Sequence, residues 1–314
     1  MMRRALIDWL TMHLTKLVMD RSAVLLLGVS VGVAIGFSFL GGSGPAGSTV
    51  IASSCPAAIH AGATLGSPEV AGAQQCAAPA QRQLIATLQQ HRAVRVAVFG
   101  DSYGDGVWSG LQRQLKPSDG YEVIKYSQPA SGFTRYRTLN LEKHAAEQLG
   151  DSKIDVAVIS FGANDVQGII TDEGKHAPLM GDLWKAQIGK RIERYVALLR
   201  QHNAQVYWVG LPPMRDAAFE AQVSAINAFY ASEMARLGVP FLDSRPVTSD
   251  AKGGYSAYLP DPKTGERTLV RAGDGIHMSM TGYVWITRSL AGRIRDYVDA
   301  SRTIAAPARK DAGK

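Results

Sequence analysis

From Val94 onward, short runs rich in Val and Ile recur between longer stretches with helical spacing, and this alternation constrains the fold more than any other feature. The runs are Val94–Phe99, Glu122–Tyr126, Val156–Phe161, Val206–Val209 and Val239–Leu242. Several are apolar at consecutive positions, which suits strands buried on both faces. The stretches near 106–115, 138–149, 182–202, 217–237 and 281–299 predict helices. Alternation of this kind implies βαβ units and a parallel sheet. The expectation is an α/β fold: a three-layer α/β/α sandwich on a five-stranded, flavodoxin-like parallel sheet. One segment interrupts the pattern. Gly253–Arg271 carries two short β-prone pieces separated by Pro260-Asp261-Pro262 and Thr264-Gly265, which predicts a hairpin-like excursion. It runs straight into Asp274, so two readings stay open: a wall of a binding site, or a surface hairpin without a role.

The N-terminus reads as an address rather than a fold. Ala23–Leu40 is an uninterrupted run of apolar and small residues, long enough to cross a bilayer as a helix. Arg3, Arg4, Lys16 and Arg21 precede it, and no Lys or Arg occurs from Gly41 to Gln81. The positive-inside rule then places the N-terminus in the cytoplasm and the rest outside. A cleaved signal peptide competes, but its charged segment is normally short and its apolar core shorter than this one. Residues 41 to about 80 are rich in Gly, Ala, Ser and Pro, too poor in large apolar side chains to build a core. The expected organisation is a cytoplasmic segment (1–22), a transmembrane signal anchor (23–40), a periplasmic tether (41–90) whose last residues, 81–91, look helical, an α/β domain (91–302) and a disordered tail (303–314). Localisation follows as a single-pass protein of a bacterial inner membrane with its domain in the periplasm. Cys55 and Cys76 are the only cysteines. Outside the cytoplasm they can pair; otherwise they are two free thiols in a loose segment.

Composition excludes several classes. With 46% hydrophobic residues the chain is globular rather than disordered. The formal net charge of +7 is basic, yet no dense Lys/Arg cluster or aromatic-glycine RNA motif accompanies it, so no nucleic-acid partner is expected. The cysteines lie in no CxxC and near no His cluster, and there is no HExxH, P-loop or Rossmann fingerprint. Neither a metal nor a cofactor is expected.

Ligands of open parallel sheets gather at the carboxyl ends of the strands. Gly100-Asp101-Ser102 follows the first run, Ser131-Gly132-Phe133-Thr134 the second, and Gly162-Ala163-Asn164-Asp165 the third; Asp274-Gly275-Ile276-His277 precedes the last helix. This set resembles the SGNH hydrolases, the GDSL-like lipases and esterases, whose blocks GDS, G, GxND and DxxH occur here in the family order over about 91–300. SGFT is the least specific of the four. The resemblance implies a serine hydrolase with Ser102 as nucleophile, His277 as base and Asp274 completing the triad. It also implies an oxyanion hole made of the Ser102 N–H, the Gly132 N–H and the Asn164 side-chain amide. These residue types fit the chemistry. A serine hydroxyl needs a base to take its proton. An imidazole titrates near neutrality. A carboxylate three residues earlier can turn back to fix the imidazole tautomer. Singly, each has a plainer reading: Ser102 as a helix N-cap, Asp274 as an Asx-turn, His277 as a surface residue. Asp101 and Asp165 read as buried carboxylates that bind loop N–H groups.

An anchored enzyme facing the periplasm meets envelope glycans and lipids. The expected activity is hydrolysis of an O-acyl ester, acetyl in the first instance, on an envelope carbohydrate. Three alternatives remain: an O-acyltransferase with the same triad, a non-catalytic glycan-binding or scaffold protein, and a lysophospholipase or thioesterase. The expected partners are the acylated glycan or another small acyl ester, the inner membrane through residues 23–40, and an envelope-assembly complex.

Overall fold

The computed structural model describes residues 79–306. The expectations for the cytoplasmic segment, the anchor at 23–40, the Cys55–Cys76 pair, most of the tether and residues 307–314 lie outside them. Among the described residues no helix is long and apolar enough to cross a membrane.

The sheet has five parallel strands: β1 (Val94–Gly100), β2 (Tyr121–Lys125), β3 (Val156–Ser160), β6 (Gln205–Val209) and β7 (Phe241–Leu242), in the spatial order β2-β1-β3-β6-β7. This is the flavodoxin-like order expected from the sequence. Every residue of β3 is buried, as a central strand with both faces covered requires. Alternate residues of β1 point to opposite layers. Val94, Val96 and Val98 join a core with α2 (Ser102–Gln112) and α6 (Met280–Ala305), while Ala97 and Phe99 join one with α3 (Leu141–Leu149), α4 (Asp182–Gln201) and α5 (Ala217–Leu237). Leu84 of α1 (Pro79–Gln89) is fully buried in the first of these cores.

Three boundaries differ from the sequence expectation. The folded part includes α1, N-terminal to residue 91, because Leu84 and Ile85 supply an apolar stripe that the core covers. Thr303–Ala305 continue α6 rather than begin a disordered tail; Ser301, one turn earlier, is still fully buried. Helix α2 starts at Ser102, four residues before the expected position. Its N-cap is Asp101, whose carboxylate accepts the Tyr103 N–H at 2.8 Å, so Ser102 is the first helical residue and not the cap.

The excursion before Asp274 is an antiparallel hairpin of β8 (Tyr258–Pro260) and β9 (Arg267–Leu269). It is tied to the segment that leads into α6: the Ser279 N–H donates to Val270 O at 3.0 Å and the Ser279 hydroxyl to Leu269 O at 2.8 Å. A second small hairpin, β4 (Ile169–Ile170) with β5 (His176–Ala177), had no counterpart in the sequence reading.

Candidate active site

The chain steps from β1 outward to β2 and then back across to β3, so the order reverses between β1 and β3. Crevices at such switch points are where open α/β sheets hold ligands. Gly100 and Ser160 are in register there, and the chain continues from them into Asp101-Ser102 and Gly162–Asp165.

Ser102 opens α2, so its N–H has no acceptor within the helix. Its Oγ lies 2.7 Å from His277 Nε2. His277 Nδ1 lies 2.6 Å from Asp274 Oδ2. With the imidazole proton on Nδ1, Nε2 presents a lone pair to the hydroxyl. Asp274 Oδ1 accepts the N–H groups of Ile276 at 2.8 Å and His277 at 2.9 Å. The Asx-turn and the orientation of the imidazole are therefore one arrangement, each using one carboxylate oxygen. Burial acts to raise the Asp274 pKa, but the hydrogen bonds from His277 and the two N–H groups prevail and hold it at about 2. It is a carboxylate at neutral pH.

Two residues the sequence reading passed over hold this loop. Tyr103 stacks its ring on that of His277, 5.4 Å between centroids, and its hydroxyl donates to Ile276 O. Arg215 donates through its guanidinium to Gly273 O at 3.0 Å and Asp274 O at 2.9 Å, and its N–H donates to Gly275 O at 3.0 Å. Neither carries a spacing signal. Tyr103 reads as an apolar helix position and Arg215 as a surface cation.

The other blocks form a buried network. Asn164, in a 3₁₀ turn over Ala163–Asp165, donates its side-chain amide to Asp101 Oδ2 at 3.0 Å. Asp165 Oδ1 accepts the Thr134 N–H at 2.8 Å and the Thr134 hydroxyl at 2.9 Å, and Oδ2 accepts the Tyr230 hydroxyl at 2.6 Å. The loop after β2 is thereby stitched to the loop after β3. Gly132 lies at this seam. A Cβ on it would stand 2.6 Å from Asp165 Oδ1, so no larger residue fits without moving the carboxylate. Asp101 and Asp165 are both fully buried. Burial, with the Asp165 charge adding to it, pushes the Asp101 pKa up to about 7 against the hydrogen bonds from Tyr103 and Asn164. Burial likewise raises Asp165. The two aspartates have the hydrogen-bonding place expected of them.

The structure thus brings Ser102, His277 and Asp274 into one hydrogen-bonded series. It sets Asn164 and Gly132 in the loops joined through Asp101 and Asp165. Among the described residues no group of three or more His, Cys, Asp or Glu side chains is gathered as metal ligands would be.

Sheet order and strand-end blocks are those of the SGNH hydrolase class. Residues 95–293 match the family described as a protein of unknown function, DUF459, and the chain belongs to that family. No curated protein matches the sequence. Similar solved structures include a GDSL-like lipase from Bacteroides thetaiotaomicron, at 15% identity over 71% of this chain and 99% of that one, with a TM-score of 0.44. An aryl esterase from M. smegmatis is 18% identical over 65% of this chain and 100% of its own, with a TM-score of 0.45. A carbohydrate acetylesterase from Sinorhizobium meliloti is 16% identical over 65% of this chain and 99% of its own, with a TM-score of 0.43. At these identities the activities of those proteins remain their own.

Proposed function

We propose that the protein is a serine esterase acting on O-acyl esters, acetyl foremost, of a cell-envelope carbohydrate, with Ser102 as nucleophile. The observation that carries this reading is the series from Ser102 Oγ to His277 Nε2 at 2.7 Å and from His277 Nδ1 to Asp274 Oδ2 at 2.6 Å. Hydrogen-bond reach between nucleophile, base and orienting group is what covalent acyl transfer needs. As Ser102 Oγ attacks the ester carbonyl, His277 Nε2 takes its proton, and Asp274 stabilises the imidazolium. The Ser102 and Gly132 N–H groups and the Asn164 amide receive the developing oxyanion. The proton then passes from His277 to the leaving alkoxide, and water repeats the cycle on the acyl-enzyme.

The side chains of His277 and Asp274 are 34% and 46% exposed. A site this open supports a substrate whose ester projects from a larger body, such as a glycan, over a long acyl chain that must be engulfed. An O-acyltransferase would use the same acyl-enzyme and differ only in the acceptor. Residues 23–40 carry the proposed placement on the periplasmic face of a bacterial inner membrane; a reporter fused after Leu40 should be active only outside the cytoplasm.

The test is turnover of a chromogenic acetyl ester, with and without an oligosaccharide acceptor, alongside labelling by a serine-directed phosphonate. Hydrolysis and labelling, both abolished by Ser102→Ala, are the expected result. Turnover only with acceptor turns the reading to a transferase. Absence of both leaves a binding protein, and full activity in Ser102→Ala removes Ser102 as the nucleophile.

A further inference from the structure

Arg271, two residues beyond β9, is only 1% exposed. Its partners are main-chain oxygens from two loops. Nη1 donates to Pro213 O at 2.6 Å and Nη2 to Ile276 O at 2.8 Å, while Nε points at His277 O at 3.4 Å. Met214 Sδ lies 3.9 Å from Nη2, and the Tyr255 ring covers the guanidinium at 4.7 Å. Pro213 and Met214 lie in the loop after β6; Ile276 and His277 belong to the DxxH segment. One planar fork therefore joins the loop after β6 to the residue that carries the imidazole.

An apolar side chain would fill this space without bringing a charge out of water, which is costly even when hydrogen bonds satisfy it. Burial indeed lowers the Arg271 pKa, against the neighbouring phenols and the Asp274 carboxylate. What a guanidinium supplies is direction: several donors fixed in one plane, able to hold several carbonyls at once. Asp274 and Tyr103 restrain the His277 ring, whereas Arg271 restrains the main chain on which that ring is mounted.

We propose that Arg271 is a positioning residue of the active site, its guanidinium fixing the Ile276 and His277 carbonyls against the loop after β6 so that the imidazole stays within reach of Ser102. The proposal rests on the esterase reading above. Arg271 touches no substrate. It acts through the His277 backbone, and a displacement of about 1 Å at a reacting group can cost on the order of 100-fold in rate.

Full-length Arg271→Met and Arg271→Lys are compared with the wild type for kcat and KM on a chromogenic acetyl ester, for the rate of phosphonate labelling of Ser102, and for thermal melting. In Arg271→Met, kcat and labelling rate should fall together by about 100-fold, with KM within about twofold. Arg271→Lys, with an ammonium that can reach one loop or the other, should recover part of both. A structural role would lower the melting temperature yet leave kcat and labelling of the folded protein unchanged, and that result overturns the proposal. Failure of both variants to fold assigns Arg271 to stability and overturns it too. If the wild type neither hydrolyses the ester nor takes the label, the esterase reading falls and this proposal falls with it. If it does both and the variants match it, the proposal alone falls.

Discussion

Asp274 sits on a loop with its side chain 46% exposed, whereas Asp101, next to Ser102, has no exposed surface at all. The environments push the two carboxyl groups in opposite directions: Asp274 is held at about 2 by hydrogen bonds, and Asp101 is driven to about 7 by burial. The DxxH side is local, with partners three residues apart in sequence, and it is wet. The Asp101–Asn164 and Asp165–Thr134 side joins loops 31 to 63 residues apart, and its two carboxylates are dry. A carboxylate that must stay charged beside an imidazole benefits from a place where hydrogen bonds, not desolvation, set its state. Donors that must not move at the moment of reaction benefit from a rigid, low-dielectric setting. On the esterase reading proposed above, these demands fall on different sides of the site.

The largest effects should come from the wet side. His277→Ala should lower kcat/KM on the order of 10⁴- to 10⁶-fold, and Ser102→Ala with His277→Ala should cost little more than either alone, because nucleophile and base act as a unit. Asp274→Asn should cost about 10⁴-fold, since an amide holds the imidazole in the wrong tautomer. Steady-state kinetics on contaminant-free protein decide this. Independent, multiplying losses in the double variant would break the division at its first half.

Asn164→Ala probes the dry side and should behave differently. Turnover should fall by about 100- to 1000-fold while Ser102 still takes the phosphonate, more slowly, because the base remains in place. A complete loss of labelling would mean that Asn164 holds Ser102 or His277 rather than the oxyanion.

Gly132→Ala sharpens the same side. Its Cβ would meet Asp165 Oδ1 at 2.6 Å. Overpacking of this kind typically costs about 1–3 kcal/mol. Melting temperature should drop and kcat should fall more than KM rises, because the loop that presents the Gly132 N–H must shift. An alanine accepted with an unchanged melting temperature would mean that the seam between the two loops is loose.

How much of this was legible in the sequence depends on the kind of signal. Strands buried on both faces announce themselves as unbroken apolar runs, and Val156–Ser160 is such a case. The blocks at the strand ends are visible because their residue types are scarce elsewhere and their order is fixed. The start of α2 gave no helical signal, because it carries two glycines, Gly104 and Gly106, which are poor helix formers. The structure needs at least the second: a Cβ on Gly106 would stand 1.9 Å from the Tyr283 ring of α6, so the helix tolerates a poor former to let that ring approach. Strands of two residues, as in β4 and β5, are too short to show a period. Arg271 was illegible for a different reason. An arginine in sequence reads as a surface cation, and nothing local reveals that its fork will be spent on carbonyls of two loops.

The pH dependence of stability tests the comparison most directly, because the two carboxylates should give stability opposite dependences on pH. The ordinary value for both is 3.8. For Asp101 the folded value, about 7, lies above it. Between about pH 4 and 7 the folded state keeps a proton that the unfolded chain has released, so stability falls as pH rises through that window, and above it the full cost of burying the charge is present. For Asp274 the folded value, about 2, lies below the ordinary one. Its contribution is complete above about pH 4 and is lost as pH falls through 2. Because Asp274 is half in water, screening makes its effect the smaller of the two. Melting temperatures measured from pH 3 to 8 should therefore show a decline between pH 4 and 7 that Asp101→Asn flattens, and a fall below pH 4 that Asp274→Asn reduces. The readout is the slope and not the level. If the slope between pH 4 and 7 survives Asp101→Asn unchanged, Asp101 is not the group that titrates there, and the contrast between a dry and a wet carboxylate beside Ser102 does not hold.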